Sequence, residues 1–289
     1  MDKIIFTCKT ITPLVMNGAY GNRPELRPPG IKASLRFWWR ALNGHLPLDD
    51  LRKQEAVIFG STNGRSKVLI RVVENQLVMS DPKPLLLEHH NEPNKRSPAA
   101  AFDVNGDFKI RVDFDSSVIT KSKLENLFIL ACTLGGWGKR SRRGFGSVVV
   151  EAVDGTPVSA PTALKDIKVC IDQIVGTGRF DLPAGANKIS GVALTKSSND
   201  EYPRLLEVEI GRASKTLKEI GQATHDTKYS DDTSPNKSDY SKSLGDGRPR
   251  LASPVIISYL VNDKPVISTM KKQSWVSTAL QDKLKNRIL

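Results

Sequence analysis

"KSKLENLFILACTLGGWGKRSRRGFGSVVVEAV", Lys121 to Val153, decides the fold. Leu124, Leu127, Phe128, Ala131 and Leu134 recur three or four residues apart, which predicts a helix with one apolar face. "GSVVVEAV" is rich in β-branched residues and predicts a strand. Between them, Leu134–Val148 holds five glycines and four basic residues around Trp137 and Phe145. Upstream, "FDVNGDFKIRVDFD" carries an Asn-Gly turn signal and then alternates Phe108, Ile110, Val112 and Phe114, a strand. "SKVLIRVVENQLVMSD" reads as a strand or hairpin, and "LRKQEAVIFGST" as a helix that ends at Gly60. "IKASLRFWWRALNGH" aligns Ile31, Leu35, Trp38, Trp39 and Leu42 on one side, with Gly44 as its stop. A Gly/Pro-rich loop, "NGAYGNRPELRPPG", separates that helix from the alternating first strand, "KIIFTCKTITPLVM". The order is β-α-β-β-α-β, the split βαβ or ferredoxin-like pattern shared with RNA-recognition modules.

Downstream of "DGTPVSAPTA", which reads as a linker, Leu164, Ile167, Ile171 and Ile174 predict a helix. "YPRLLEVEIG" then predicts a strand and "SKTLKEIGQA" a short helix. A hairpin should turn at Asn262–Asp263, and "WVSTALQDKLKNRI" should form a last helix. Residues 224–249 are polar and rich in Gly, Pro and Ser, so a long mobile loop is expected there. The fold class expected is α+β, with two ferredoxin-like (RRM-like) domains in tandem at 1–155 and 156–289, the second without a clear internal repeat behind it.

With 289 residues, the chain can bury one large core or two modest ones. Its longest apolar runs, "LFILACTL" and "PVIISYLV", are far below the roughly 18 residues of a membrane span, so no membrane partner is expected. Cys8, Cys132 and Cys170 are widely spaced, which fits a reducing cytoplasm better than a disulfide framework or a zinc site. The formal charge is +12, of which residues 1–150 supply +9. A basic half favours a polyanionic partner, because neutralising phosphates releases counterions.

The loop after the second helix fails both phosphate-cradle patterns. Lys139 follows Gly138, but Arg140 stands where Ser or Thr is needed and Thr133 where the first glycine of a P-loop belongs. For a dinucleotide loop Ser141 replaces the third glycine, and helix precedes strand rather than following it. Clustered glycines with Lys139, Arg140, Arg142 and Arg143 suit a grip on an extended sugar-phosphate chain, with Trp137 and Phe145 available to stack. A solvated turn whose aromatics anchor it to the core is the plainer alternative.

On the first helix, Lys32, Arg36 and Arg40 form an i, i+4, i+8 stripe without acidic partners at i±4. Trp38 is expected in the core; Trp39 lies at the border of the stripe and could pack or stack. His45 and Tyr20 are the only candidates near this helix for a general base. No paired carboxylates have metal-holding spacing, and no cofactor or metal is expected.

"RPPGIKASLRFWWRAL", "IFGS" and "GGWGKRSRRGFGSV" resemble the RAMP superfamily of CRISPR systems. The "LRFWWR" helix is most similar to the family of first subunits of the type III-B Cmr effector complex, and "GRPRLASPV" is similar to the C-terminal half of that family. The resemblance implies two ferredoxin-like domains and a non-catalytic place in a guide-directed effector for antiviral defence. Single-stranded RNA, target or guide, and other Cmr subunits are the partners it implies. It points to Arg36, Arg40 and the Lys139–Arg143 cluster as RNA contacts. Lys32, Trp39, Arg248 and Arg250 complete the expected RNA-binding set. Two other readings stay open: a guide-processing RAMP endoribonuclease using His45 or Tyr20, and a structural scaffold whose basic residues meet acidic proteins.

Overall fold

The computed structural model describes residues 1–86, 98–192, 202–229, 244–247, 250–271 and 278–289. The first strand, β1 (Asp2–Thr10), turns Ile4, Phe6, Cys8 and Thr10 inward, as its alternation predicts. Helices α1 (Pro28–Leu42) and α2 (Leu48–Phe59) follow, then strands β2 (Val68–Asn75) and β3 (Asp107–Phe114). Helix α3 (Lys121–Thr133) starts on Thr120, whose hydroxyl accepts the Lys123 N–H. Strand β4 (Val148–Val153) closes an antiparallel sheet of order β2-β3-β1-β4. That is the ferredoxin-like order, with fourth and first strands adjacent.

The expected linker does not begin as a linker. Asp154 (φ +50°) and Gly155 (φ +82°) make a tight turn, and β5 (Thr156–Pro157) pairs back onto β4. Asn105 (φ +58°) and Gly106 turn the chain into β3, as the Asn-Gly signal predicts, and the Asn105 N–H donates to Thr10 O at 2.8 Å.

Helix α4 (Leu164–Val175) leads to β6 (Phe180–Asp181), β7 (Lys188–Gly191), β8 (Arg204–Ile210) and α5 (Leu217–Tyr229). The short strands β9 (Asp246–Gly247) and β10 (Arg250–Leu251) pair with each other. The hairpin β11 (Val255–Tyr259) and β12 (Pro265–Lys271) turns through Asp263 (φ +59°), and α6 (Thr278–Ile288) ends the chain. Because α5 runs to Tyr229, residues 224–229 of the expected mobile loop are helical. Residues 230–243 and 248–249 of that stretch lie outside the described residues.

The second sheet has order β11-β12-β8-β7-β6 and is antiparallel throughout. Its first four places match β4-β1-β3-β2 of the first sheet, but the chain visits them in a shifted order. Strand β12 with α6 takes the role of first strand and first helix, yet comes last in sequence. Strands β7 and β8, helix α5 and strand β11 fill the remaining roles. The second domain is thus ferredoxin-like in space and circularly rearranged along the chain.

Each face of this second sheet is covered. Val255, Ile257, Tyr259 and Ile267 pack with Ile220 of α5 and Leu284 of α6. Ile256, Val266, Met270 and Val208 join the larger core that also holds α1, α3 and α4. In that core Phe6 and Phe128 stack at 3.9 Å, with Trp137 edge-on to Phe128 at 6.0 Å. One apolar interior therefore runs from the first sheet to the second, with α1 and α3 between.

Candidate nucleic-acid interface

Steric crowding shapes the loop after α3. Gly138 (φ +84°) and Gly146 (φ +69°) adopt left-handed backbone, and a Cβ at either would overlap the carbonyl oxygen of Val15 or Trp137. Main-chain bonds then fix the path. Trp137 N–H donates to Gly146 O (2.9 Å), Lys139 N–H to Val15 O (2.7 Å) and Gly146 N–H to Pro13 O (3.0 Å).

The far side of the loop binds the second domain. Gly144 N–H donates to Ile257 O at 2.9 Å, and Ile257 N–H to Arg142 O at 3.3 Å, so Arg143 and Ile257 form a parallel bridge. Ser258 Oγ donates to Thr133 O at 2.6 Å, and Tyr259 N–H to Ser147 Oγ at 3.1 Å. The loop extends the edge of the second sheet at β11 and is the seam between the domains.

Its four cations divide into two pairs. The Arg143 side chain is buried; its guanidinium donates to Arg142 O (2.8 Å), Val255 O (2.8 Å) and Leu244 O (3.3 Å). Burial, then the charges of Arg142 and Arg140, pull its pKa down to about 10, which still leaves it cationic at neutral pH. Arg142 donates to Ser253 O and sits over the Phe37 ring at 5.3 Å, and burial lowers its pKa as well. The expectation of four surface cations is corrected here: Arg143 has no surface to offer, and Arg142 is turned to the seam. Lys139 and Arg140 are exposed, and among the described residues neither pairs with a carboxylate.

The aromatic expectation is corrected too. Trp137 is buried among Phe108 and Phe128, and Phe145 packs with Val15 and Ala101. Trp39, 5% exposed, meets Phe59 edge-on at 6.5 Å and belongs to the core. None of the three can present a face to a base. Trp39→Ala is therefore expected to destabilise the protein by about 3 kcal/mol or more, the usual result of emptying a large aromatic site. Thermal unfolding checks this; an unchanged melting temperature would contradict it.

The stripe on α1 is partly neutralised. Arg36 Nε (2.7 Å) and an Arg40 terminal nitrogen (2.5 Å) both donate to one oxygen of Glu55 on α2. Arg40 also lies 4.9 Å above the Tyr202 ring. Lys32 donates to Ser66 Oγ at 2.5 Å, and burial, then Arg36, lowers its pKa. Arg248 lies outside the described residues, and Arg250 is placed only as part of β10.

Composition also missed what stands beside Lys139. Residues 15–25 form a small hairpin: Glu25 N–H donates to Met16 O at 2.7 Å and Asn17 bridges Pro24. Its base is the same Val15 that receives the Lys139 N–H. Tyr20 and Arg23 are exposed on it and Arg27 just after it, ahead of α1; Arg23 and Arg27, like Lys139 and Arg140, lack a carboxylate within 4 Å among the described residues. The sequence signal was there in the Asn17-Gly18 and Gly21-Asn22 turn formers ahead of Pro24.

The two candidate bases are not brought together. Tyr20 precedes α1 and His45 follows it, and a helix of 15 residues is about 22 Å long. His45 is half-buried; burial, then Arg179, lowers its pKa. Among the described residues no cluster of three His, Cys, Asp or Glu is arranged to hold a metal ion. No described helix is long and apolar enough to cross a membrane.

A family model described as the RAMP superfamily matches residues 7–149, from within β1 to within β4, the seam loop included. Two curated proteins of Pyrococcus furiosus are similar in sequence. CRISPR system Cmr subunit Cmr1-2 is 28% identical over 181 residues, covering 52% of this chain and 96% of that protein. Cmr subunit Cmr1-1 is 34% identical over 143 residues, 44% of this chain and 41% of the relative, so the chain spans about two fifths of that length. In fold, the apo crystal structure of Cmr1 from Pyrococcus furiosus matches with a TM-score of 0.58 at 18% identity, over 100% of this chain and 97% of that one. A chain of the type III-B Cmr-beta complex bound to cognate target RNA matches with a TM-score of 0.56 at 12% identity, over 99% of both.

Proposed function

We propose, from the match of residues 7–149 to the RAMP superfamily model, that the chain is a non-catalytic, RNA-binding subunit of a cytoplasmic type III-B Cmr effector complex in CRISPR defence. Its partners in this reading are the other Cmr subunits and single-stranded RNA, target or guide. Its two domains divide near the segment between β5 and α4. The names of the similar Pyrococcus subunits and the target RNA of the similar Cmr-beta complex support the placement.

The observation that carries RNA binding is the exposed cation group at the seam. Lys139 and Arg140 project from a rigid loop, beside Arg23 and Arg27, in the half of the chain that supplies most of its positive charge. Lys32, Arg36 and Arg40 form a further basic stripe on α1, with Glu55 offsetting one of their charges. The separation of Tyr20 from His45 favours holding RNA over cutting it.

A salt titration of single-stranded RNA binding tests the proposal. The Lys139→Ala/Arg140→Ala double variant should keep its melting temperature, because both side chains are exposed. Its plot of log K against log salt should flatten by up to about 0.7 for each phosphate no longer neutralised, equally for unrelated sequences. Absence of binding by the unaltered chain would overturn the proposal and favour a scaffold role. Metal-independent cleavage of a repeat RNA, abolished in His45→Ala, would restore the endoribonuclease reading.

A further inference from the structure

Single-stranded nucleic acid is held by two kinds of contact: cations along the backbone, and aromatic rings on which bases stack. The seam supplies the first kind, and its own aromatics, Trp137 and Phe145, are buried. Tyr20 is 76% exposed, the most exposed aromatic side chain among the described residues. Lone exposed apolar side chains are ordinary on protein surfaces, so exposure alone decides nothing.

Its mounting is what sets Tyr20 apart. Tyr20 sits at the tip of the 15–25 hairpin, where the Arg23 N–H donates to Tyr20 O at 3.3 Å. Asn17 Nδ2 crosses the hairpin to Gly21 O (3.3 Å) and Arg23 O (3.1 Å). The Glu25 carboxylate folds over Gly18, where a Cβ would collide with it, so the one acidic side chain of the hairpin lies against the stem. At the base, Val15 O accepts the Lys139 N–H, and Gly138 allows the two backbones to touch. Tyr20 is five residues beyond Val15, so its Cα lies within about 18 Å of the hairpin's contact with the cationic loop. The backbone that carries the ring is already held, so little of its freedom is lost when the ring meets a ligand.

We infer that Tyr20 is a base-stacking residue for single-stranded RNA, held by the hairpin beside the strand whose phosphates meet Lys139, Arg140, Arg23 and Arg27. This rests on the RNA-binding reading above. The stack is indifferent to base identity, since every base has a π-face. Tyr20 acts through its ring, not its hydroxyl, and its contribution is not ionic.

The test uses the full chain and a single-stranded RNA carrying 2-aminopurine at successive positions, with the Tyr20→Ala and Tyr20→Phe variants alongside. Tyr20→Ala should bind about tenfold more weakly with an unchanged salt slope. Quenching of 2-aminopurine on binding should occur in the unaltered chain and in Tyr20→Phe, and be absent in Tyr20→Ala. Tight, salt-dependent binding by the unaltered chain that Tyr20→Ala leaves untouched would overturn the inference while the RNA-binding reading stands. Equal losses in Tyr20→Phe and Tyr20→Ala, or a changed salt slope, would also overturn it. No RNA binding by the unaltered chain would overturn both.

Discussion

Gly146→Ala should lower the unfolding free energy by about 3 kcal/mol or more, a large share of the roughly 5–15 kcal/mol typical of a domain. Two independent effects combine. A non-glycine residue held in the left-handed region costs about 1–3 kcal/mol, and Gly146 has φ +69°. The added methyl would also overlap Trp137 O and press on Leu14 Cδ1 at 3.0 Å. Neither can yield cheaply. Trp137 lies in the first core, and Gly146 is bonded on both sides, donating to Pro13 O and accepting from Trp137 N–H. Gly21→Ala is the matched control. Nothing lies within 4 Å of a Cβ there, and its change should stay within about 0.5 kcal/mol. Urea denaturation of the two variants measures the difference, and equal midpoints would contradict the account.

Arg143→Met tests the seam itself. Charge-assisted hydrogen bonds contribute about 1.5–3 kcal/mol each, and Arg143 makes three, two of them to the second domain. Burial takes part of this back, pulling the guanidinium pKa down to about 10. The bonds win, and the variant should be less stable by about 3 kcal/mol. Arg143→Lys should recover little, since one ammonium lacks the planar fork that spans three carbonyls. The loss has an address as well. Amide exchange at Gly144 and Ile257, whose main chains pair across the seam, should accelerate before that of Phe6 in the first sheet. Uniform acceleration would mean that the two domains open as one unit and that the loss is not confined to the seam.

The elements of the first domain were legible because their signals are local. The alternation of Phe108, Ile110, Val112 and Phe114 and the spacing of Leu124, Leu127 and Phe128 are both set by the backbone period. The division of labour among the loop cations was not legible. Arg142 and Arg143 find their carbonyl partners more than 100 residues away, at Ser253, Val255 and Leu244. Composition records charge but not where it points. Glu55 escaped notice for a related reason, because a search at i±4 along α1 cannot see a carboxylate on the next helix. Tyr20 reads in sequence as a possible base, and only the fold places it on a hairpin whose base is bonded to the cationic loop.

The rearranged strand order of the second sheet has a consequence for biosynthesis. Strand β12 lies inside that sheet, between β11 and β8, although it begins only at Pro265. A nascent chain can complete the first sheet once Pro157 has emerged from the ribosome, and domains commonly fold in that order. The second sheet must wait until Lys271 has emerged, with β8 and α5 already made and their inner faces uncovered. During that interval the seam loop and α1 are the native surfaces on which the half-made domain can rest.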